Sequence, residues 1–101
     1  MTQILEIARF RPAPGTDEAT LRNAAESVDP WLRRQPGFLH RLLRREEGDT
    51  WIDVIVWASP VAVDAADIAF AVAPETRYYQ SVIDPASVTI HHRPLALSMP
   101  I

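Results

Sequence analysis

The segment Thr50–Ala58 (TWIDVIVWA) constrains this chain more than any other. Valine, isoleucine and tryptophan fill it almost throughout, the side chains that suit a pleated strand. Alternation at period two sends Trp51, Asp53, Ile55 and Trp57 to one face and Ile52, Val54 and Val56 to the other. Both faces are therefore largely apolar. An antiparallel sheet under a single helical layer buries only one of them. The second face needs another cover, and a second copy of the same chain is the simplest source. A homodimer through the sheet faces is expected.

The segments around this strand read in a definite order. Gln3–Arg11 is rich in Ile, Leu and Phe and ends at Pro12-Ala13-Pro14-Gly15, a strand and then a loop. Thr16 can cap the next segment, with Asp17 and Glu18 in its first turn. Leu21, Ala24, Ala25, Val28, Trp31 and Leu32 follow helical spacing, and Asp29-Pro30 kinks or restarts that helix. Pro36-Gly37 ends it. Phe38–Glu47 and Thr50–Ala58 form a hairpin about Gly48-Asp49. Ser59-Pro60 starts a second helix with the apolar stripe Val61, Ala65, Ile68, Ala69 and Val72. Pro74-Glu75 opens another helical piece carrying Arg77, Tyr78, Tyr79, Val82 and Ile83, and Asp84-Pro85 closes it. Ser87–Arg93 is the last strand, and Pro94–Ile101 is an extended apolar tail. The order βαββαβ predicts an α+β, ferredoxin-like domain over residues 1–101, with one four-stranded antiparallel sheet.

Composition removes several classes of function. The 101 residues include no cysteine, so no disulfide framework or thiolate metal site exists. A net charge of −3 argues against a nucleic-acid partner. No apolar run approaches the ~20 residues a membrane span needs, so a cytoplasmic location is expected. Glycine-rich phosphate loops and a nucleophile elbow are also missing from the sequence.

Among residues that could carry chemistry, Asp53 shares a strand face with Trp57. An unpaired buried carboxylate is costly. Asp53 therefore either pairs with an arginine, for which Arg77 is the obvious candidate, or serves in a pocket as a general base. Trp57 suits a packing anchor or a flat wall for an aromatic ligand, which Phe70, Tyr78 and Tyr79 could complete. Arg77 is either a solvated helix residue or a clamp on an anionic oxygen. His40 lies in the second strand, and His91 and His92 in the fourth on opposite faces; their spacing indicates no metal site. Arg33, Arg34, Arg41, Arg44 and Arg45, balanced by Glu46 and Glu47, read as a solvated face.

Pro36-Gly37-Phe38-Leu39, the hairpin, and Trp57-Ala58-Ser59 before an alanine-rich helix resemble the antibiotic biosynthesis monooxygenase family. The resemblance runs from the first strand to the last and implies a dimeric α+β barrel. It also implies a small aromatic or polyketide-like ligand bound between sheet and helices, oxidised without cofactor or metal. In the polyketide-oxidising branch, an asparagine, a tyrosine and an arginine accompany the tryptophan. At these positions the chain has Asp53, Val63 and Arg77. By resemblance, Trp57, Arg77 and Asp53 are the catalytic candidates, and Phe70, Tyr78, Tyr79 and Val63 the substrate-binding ones. The haem-degrading branch fits less well, because the first strand has no asparagine and Val61–Ile83 has neither tryptophan nor histidine. A non-catalytic dimeric ligand-binding or regulatory module of the same fold is the alternative.

Overall fold

The central strand of the sequence is also central in space. In the computed structural model, which describes residues 2–99, β1 (Ile4–Phe10), β2 (Phe38–Arg45), β3 (Trp51–Trp57) and β4 (Thr89–Pro94) form one antiparallel sheet in the order β2-β3-β1-β4. Met1 and the tail's Pro100 and Ile101 lie outside the described residues. Helices α1 (Glu18–Glu26), α2 (Asp29–Arg33), α3 (Pro60–Val72) and α4 (Arg77–Ser81) supply the second layer. The chain therefore has the α+β, ferredoxin-like arrangement that the element order predicts.

Local chemistry fixes the helix ends. The cap of α1 is Asp17 rather than Thr16: its carboxylate accepts the Thr20 N–H at 2.8 Å. The shift by one residue leaves the helix dipole facing an anion, which stabilises the first turn more than a hydroxyl does. The helix restarts at Asp29 as α2, with Pro30 in the first turn, where its missing N–H costs nothing. Ser59 caps α3 by accepting the Ala62 N–H, with Pro60 as the first helical residue.

The expected apolar stripe of α3 is corrected by the structure. Val61, Ile68 and Val72 are 77%, 74% and 73% exposed, while Val63 and Ala66 are buried against the sheet. Nearly every position of this helix is apolar, so periodicity alone permits more than one inward face. A close approach to the loop before β2 selects among them. Gly37 lies at φ +82, and a Cβ on it would stand only 2.5 Å from the Ala62 Cβ. This packing turns Val63 into the core.

Register decides which side chains face the helices. Glu6 stands opposite Ile55 on one side and His92 on the other, and Ala8 stands opposite Asp53. Arg41 is paired with Ile55, and Leu43 with Asp53. Glu6, Ala8, Arg41, Asp53, Ile55, Trp57 and His92 therefore share the helix-facing side. The opposite face carries Leu5, Ile7, Val54 and Val56, all partly exposed, beside Leu42 at 59% exposure. Leu97 and Met99 of the tail are 84% and 81% exposed, so the tail packs neither of them against that face.

Candidate functional site

Sheet and helices leave a space between them. It is a cavity of about 260 Å³ beside Trp57, bounded by β1, β3 and β4 on one side and by α2, α3 and α4 on the other. Its walls are mainly apolar, from Ile55, Trp57, Trp31, Phe70 and Ile90. Aromatic rings brace it edge to face: Phe70 lies 5.9 Å from Trp31 and 6.4 Å from Tyr79 between centroids, and Tyr79 lies 5.9 Å from Phe10. Such pairs hold rings in place without filling the space between sheet and helix.

One polar group of the cavity is built on Asp53. Arg41 donates to it twice, from Nε to Oδ1 at 3.0 Å and from Nη2 to Oδ2 at 2.7 Å. The Tyr79 hydroxyl donates to Oδ2 at 2.7 Å. Arg41 also donates from Nη1 to the Ala25 carbonyl at 2.7 Å and to Asp29 at 2.9 Å, tying β2 to both N-terminal helices. With Nε used once, Nη1 twice and Nη2 once, four of the five guanidinium N–H groups are engaged. Burial opposes the guanidinium charge, but Asp53 outweighs it and raises the Arg41 pKa. Burial, reinforced by the Asp53 charge, raises the Tyr79 pKa, so the phenol remains a donor at every ordinary pH.

A second polar group lies along the same wall. Trp57 Nε1–H donates to Glu6 Oε1 at 3.1 Å, and His92 Nε2 lies 3.0 Å from Glu6 Oε2 and 3.1 Å from Asp67 Oδ2. Burial first, and the neighbouring Asp67 second, push the Glu6 pKa up to about 7. Glu6, Asp67 and His92 are a set that could hold a metal ion, with donor atoms all within 4.8 Å of one another. Glu6 and Asp53 are diagonal neighbours on the sheet, about 7–8 Å apart.

The residues singled out in the sequence are thus only partly brought together. Asp53, Trp57, Phe70 and Tyr79 line the cavity. Val63 is 1% exposed in the core, Tyr78 is 47% exposed, and Arg77 is exposed; none of the three borders the cavity. The partner of Asp53 is Arg41, not Arg77, and Arg41 is not part of a solvated face, its side chain being 9% exposed. Hairpin pairing carries the signal that identifies it. A three-residue loop, Glu47-Gly48-Asp49, closed by the Glu46 N–H on the Thr50 carbonyl, sets Leu43 opposite Asp53, which places Arg41 two residues away on the same face. His40 and His91 lie on the opposite side of the sheet from the cavity.

The chain is thus a ferredoxin-like α+β sheet with a partly open, aromatic-walled cavity and a buried arginine–carboxylate centre. The family model for antibiotic biosynthesis monooxygenase matches residues 3–67. The chain belongs to that family. No curated protein matches it. Among solved structures, it resembles a variant of SnoaB, a cofactor-independent oxygenase from Streptomyces nogalater. That match has a TM-score of 0.75 and 18% identity and covers 98% of each chain. It also resembles a Mycobacterium tuberculosis protein (TM-score 0.72, 20% identity, 96% of this chain and 100% of that one). A Nitrosomonas europaea protein of unknown function is similar too (TM-score 0.71, 18% identity, 100% of this chain and 96% of that one). Identities this low establish the shared fold alone. No helix among the described residues is long and apolar enough to cross a membrane.

Proposed function

We propose that this protein is a cofactor-independent monooxygenase acting on a hydroxylated aromatic substrate of one or two fused rings. The observation that carries the reading is the buried Arg41–Asp53–Tyr79 centre opening into an apolar cavity beside Trp57. At about 260 Å³ the cavity falls just below the usual range for small-molecule pockets. That size supports one or two rings over a larger polyketide.

In this reading Phe70 supplies the face for the aromatic ring, and Trp57, itself 1% exposed, backs the wall. Ionisation of a ring hydroxyl, its proton passing to water, produces an oxyanion next to the Arg41 charge, where the remaining Nη2 N–H and the Tyr79 hydroxyl, its single proton turned from Asp53 to the oxyanion, can stabilise it. Asp53, with both oxygens already accepting hydrogen bonds, positions those two donors rather than taking the proton. The electron-rich carbon of the anion then reacts with O₂. One oxygen atom enters as a carbonyl, giving a quinone, and the other leaves as water with the hydrogen of the oxidised ring carbon and the proton of the ionised hydroxyl. Arg41 takes the anion-stabilising part expected of Arg77.

The working unit in this proposal is a homodimer joined through the open sheet face, which Leu42, Val54 and Val56 make apolar. A non-catalytic ligand-binding module is the second reading. It is favoured by Val63, which occupies the family's tyrosine position and is packed in the core.

Oxygen uptake with 1,8-dihydroxynaphthalene and with a dihydroxyanthrone tests the proposal. Turnover is expected with the smaller compound, falling about 10²-fold in Tyr79→Phe, the usual cost of removing one oxyanion donor. Saturable quenching of tryptophan fluorescence by these compounds without oxygen uptake supports the binding module and overturns the oxygenase.

A further inference from the structure

We infer that Glu6, Asp67 and His92 form a binding site for a first-row divalent cation in the wall of the cavity. Three elements build it: β1 brings Glu6, β4 brings His92 directly opposite it, and α3 brings Asp67 over the pair. The His92 Nε2 lies 3.0 Å from Glu6 Oε2 and 3.1 Å from Asp67 Oδ2. In an octahedral shell with bonds of about 2.1 Å, adjacent donors stand about 3.0 Å apart. The two His92–carboxylate spacings thus already match those of adjacent ligands on one ion, and the third donor pair lies within 4.8 Å.

The surroundings fit a cation in three further respects. Trp57 Nε1–H holds Glu6 Oε1, which leaves Oε2 directed at the site, the outer-shell support typical of metal ligands. Two carboxylates face each other there. Among the described residues, no arginine lies within 4 Å of either, and His92 is their one basic neighbour. Glu6 and Asp67 also line the cavity, so three protein ligands leave coordination positions open to a bound molecule. One imidazole and two carboxylates suit Zn²⁺, Mn²⁺, Fe²⁺ or Co²⁺ better than Ca²⁺ or a soft ion such as Cu⁺. The open positions would take oxygen ligands, such as the neighbouring oxygens of a hydroxylated aromatic. The inference is independent of the oxygenase proposal, since the cation can bind a chain that oxidises nothing.

The test uses the full chain without a histidine tag, stripped with chelator and dialysed. Zn²⁺ is titrated by calorimetry, and Co²⁺ by its visible absorption. One ion per chain is expected. His92→Ala and Asp67→Asn each weaken binding at least about 100-fold, while Asp64→Asn, one turn away on the exposed side of α3, leaves it unchanged. His92 and Asp67 side chains are 35% and 39% exposed, so both variants should fold, which circular dichroism verifies. Saturating Zn²⁺ should also raise the melting temperature of the wild type and not of His92→Ala. Binding no tighter than millimolar, or equal affinity in wild type and both ligand variants, overturns the inference.

Discussion

Replacing Arg41 by methionine gives the sharpest test of the buried centre. The substitution keeps most of the stem and removes the guanidinium. Asp53 then keeps only the Tyr79 hydroxyl, with its side chain 7% exposed. The Ala25 carbonyl and Asp29 also lose a donor. Removing one member of a buried ion pair costs about 3–5 kcal/mol, because the other charge is left in the interior. At about 4–8 °C per kcal/mol for a domain of this size, the melting temperature falls by at least about 12 °C. Adding Asp53→Asn to Arg41→Met removes the stranded charge, so the double variant should be more stable than Arg41→Met alone. The assay is denaturant and thermal unfolding of all four proteins at one chain concentration, since association of chains would shift every midpoint. A cost below about 1 kcal/mol, the value of a solvated surface pair, refutes the reasoning. So does a double variant whose loss equals the sum of the two single losses.

Three other outcomes follow from the same geometry. Gly37→Ala should destabilise by about 2 kcal/mol or more, since left-handed backbone strain adds to a clash with Ala62. Gly48→Ala, at φ +73 in open space, should bear the strain alone, and equal unfolding midpoints for the two variants would refute the close-approach argument. The raised Glu6 pKa makes its protonated form the one the fold prefers. Its contribution is fully present below pH 4.5 and is lost as pH rises through about 7, worth about 3 kcal/mol. In chelator, Glu6→Gln should flatten that part of the stability–pH curve, and an unchanged slope contradicts the assignment. Val54→Glu, in the middle of the open sheet face, should convert a dimer to a monomer in sedimentation velocity while leaving the fold intact. A wild-type chain that sediments as a monomer at high micromolar concentration would count against the interface itself.

Much of the fold was legible in the residues. The doubly apolar strand around Val54, the Ser59-Pro60 helix start and the Pro36-Gly37 break are local signals, set by side-chain shape, capping and backbone freedom within a few residues. The Pro36–Leu39 and Trp57–Ser59 segments also carried the family. At α3 the pattern failed, because a helix that is apolar nearly all round has no single inward stripe. There Gly37, distant in sequence, chose Val63 and Ala66 over Val61 and Ile68.

The site depended more on pairing between strands and helices. Alternation alone set Asp53 on the same face as Trp57, and a buried carboxylate there left open an arginine partner or a general-base role. Which arginine became the partner depended on hairpin register and on the reach of a long side chain across two strands, so Arg41 met Asp53 while Arg77 stayed in solvent. Glu6 and His92 are 86 residues apart in sequence and opposite each other in the sheet. No sequence spacing encodes that distance, since β1 pairs with β4 only after the whole chain has closed around them. The sequence by itself determined a two-faced apolar strand in an α+β sheet, with Asp53 on its Trp57 face. Tertiary pairing decided which residues answered that carboxylate, because partners across strands are chosen by register and not by proximity along the chain.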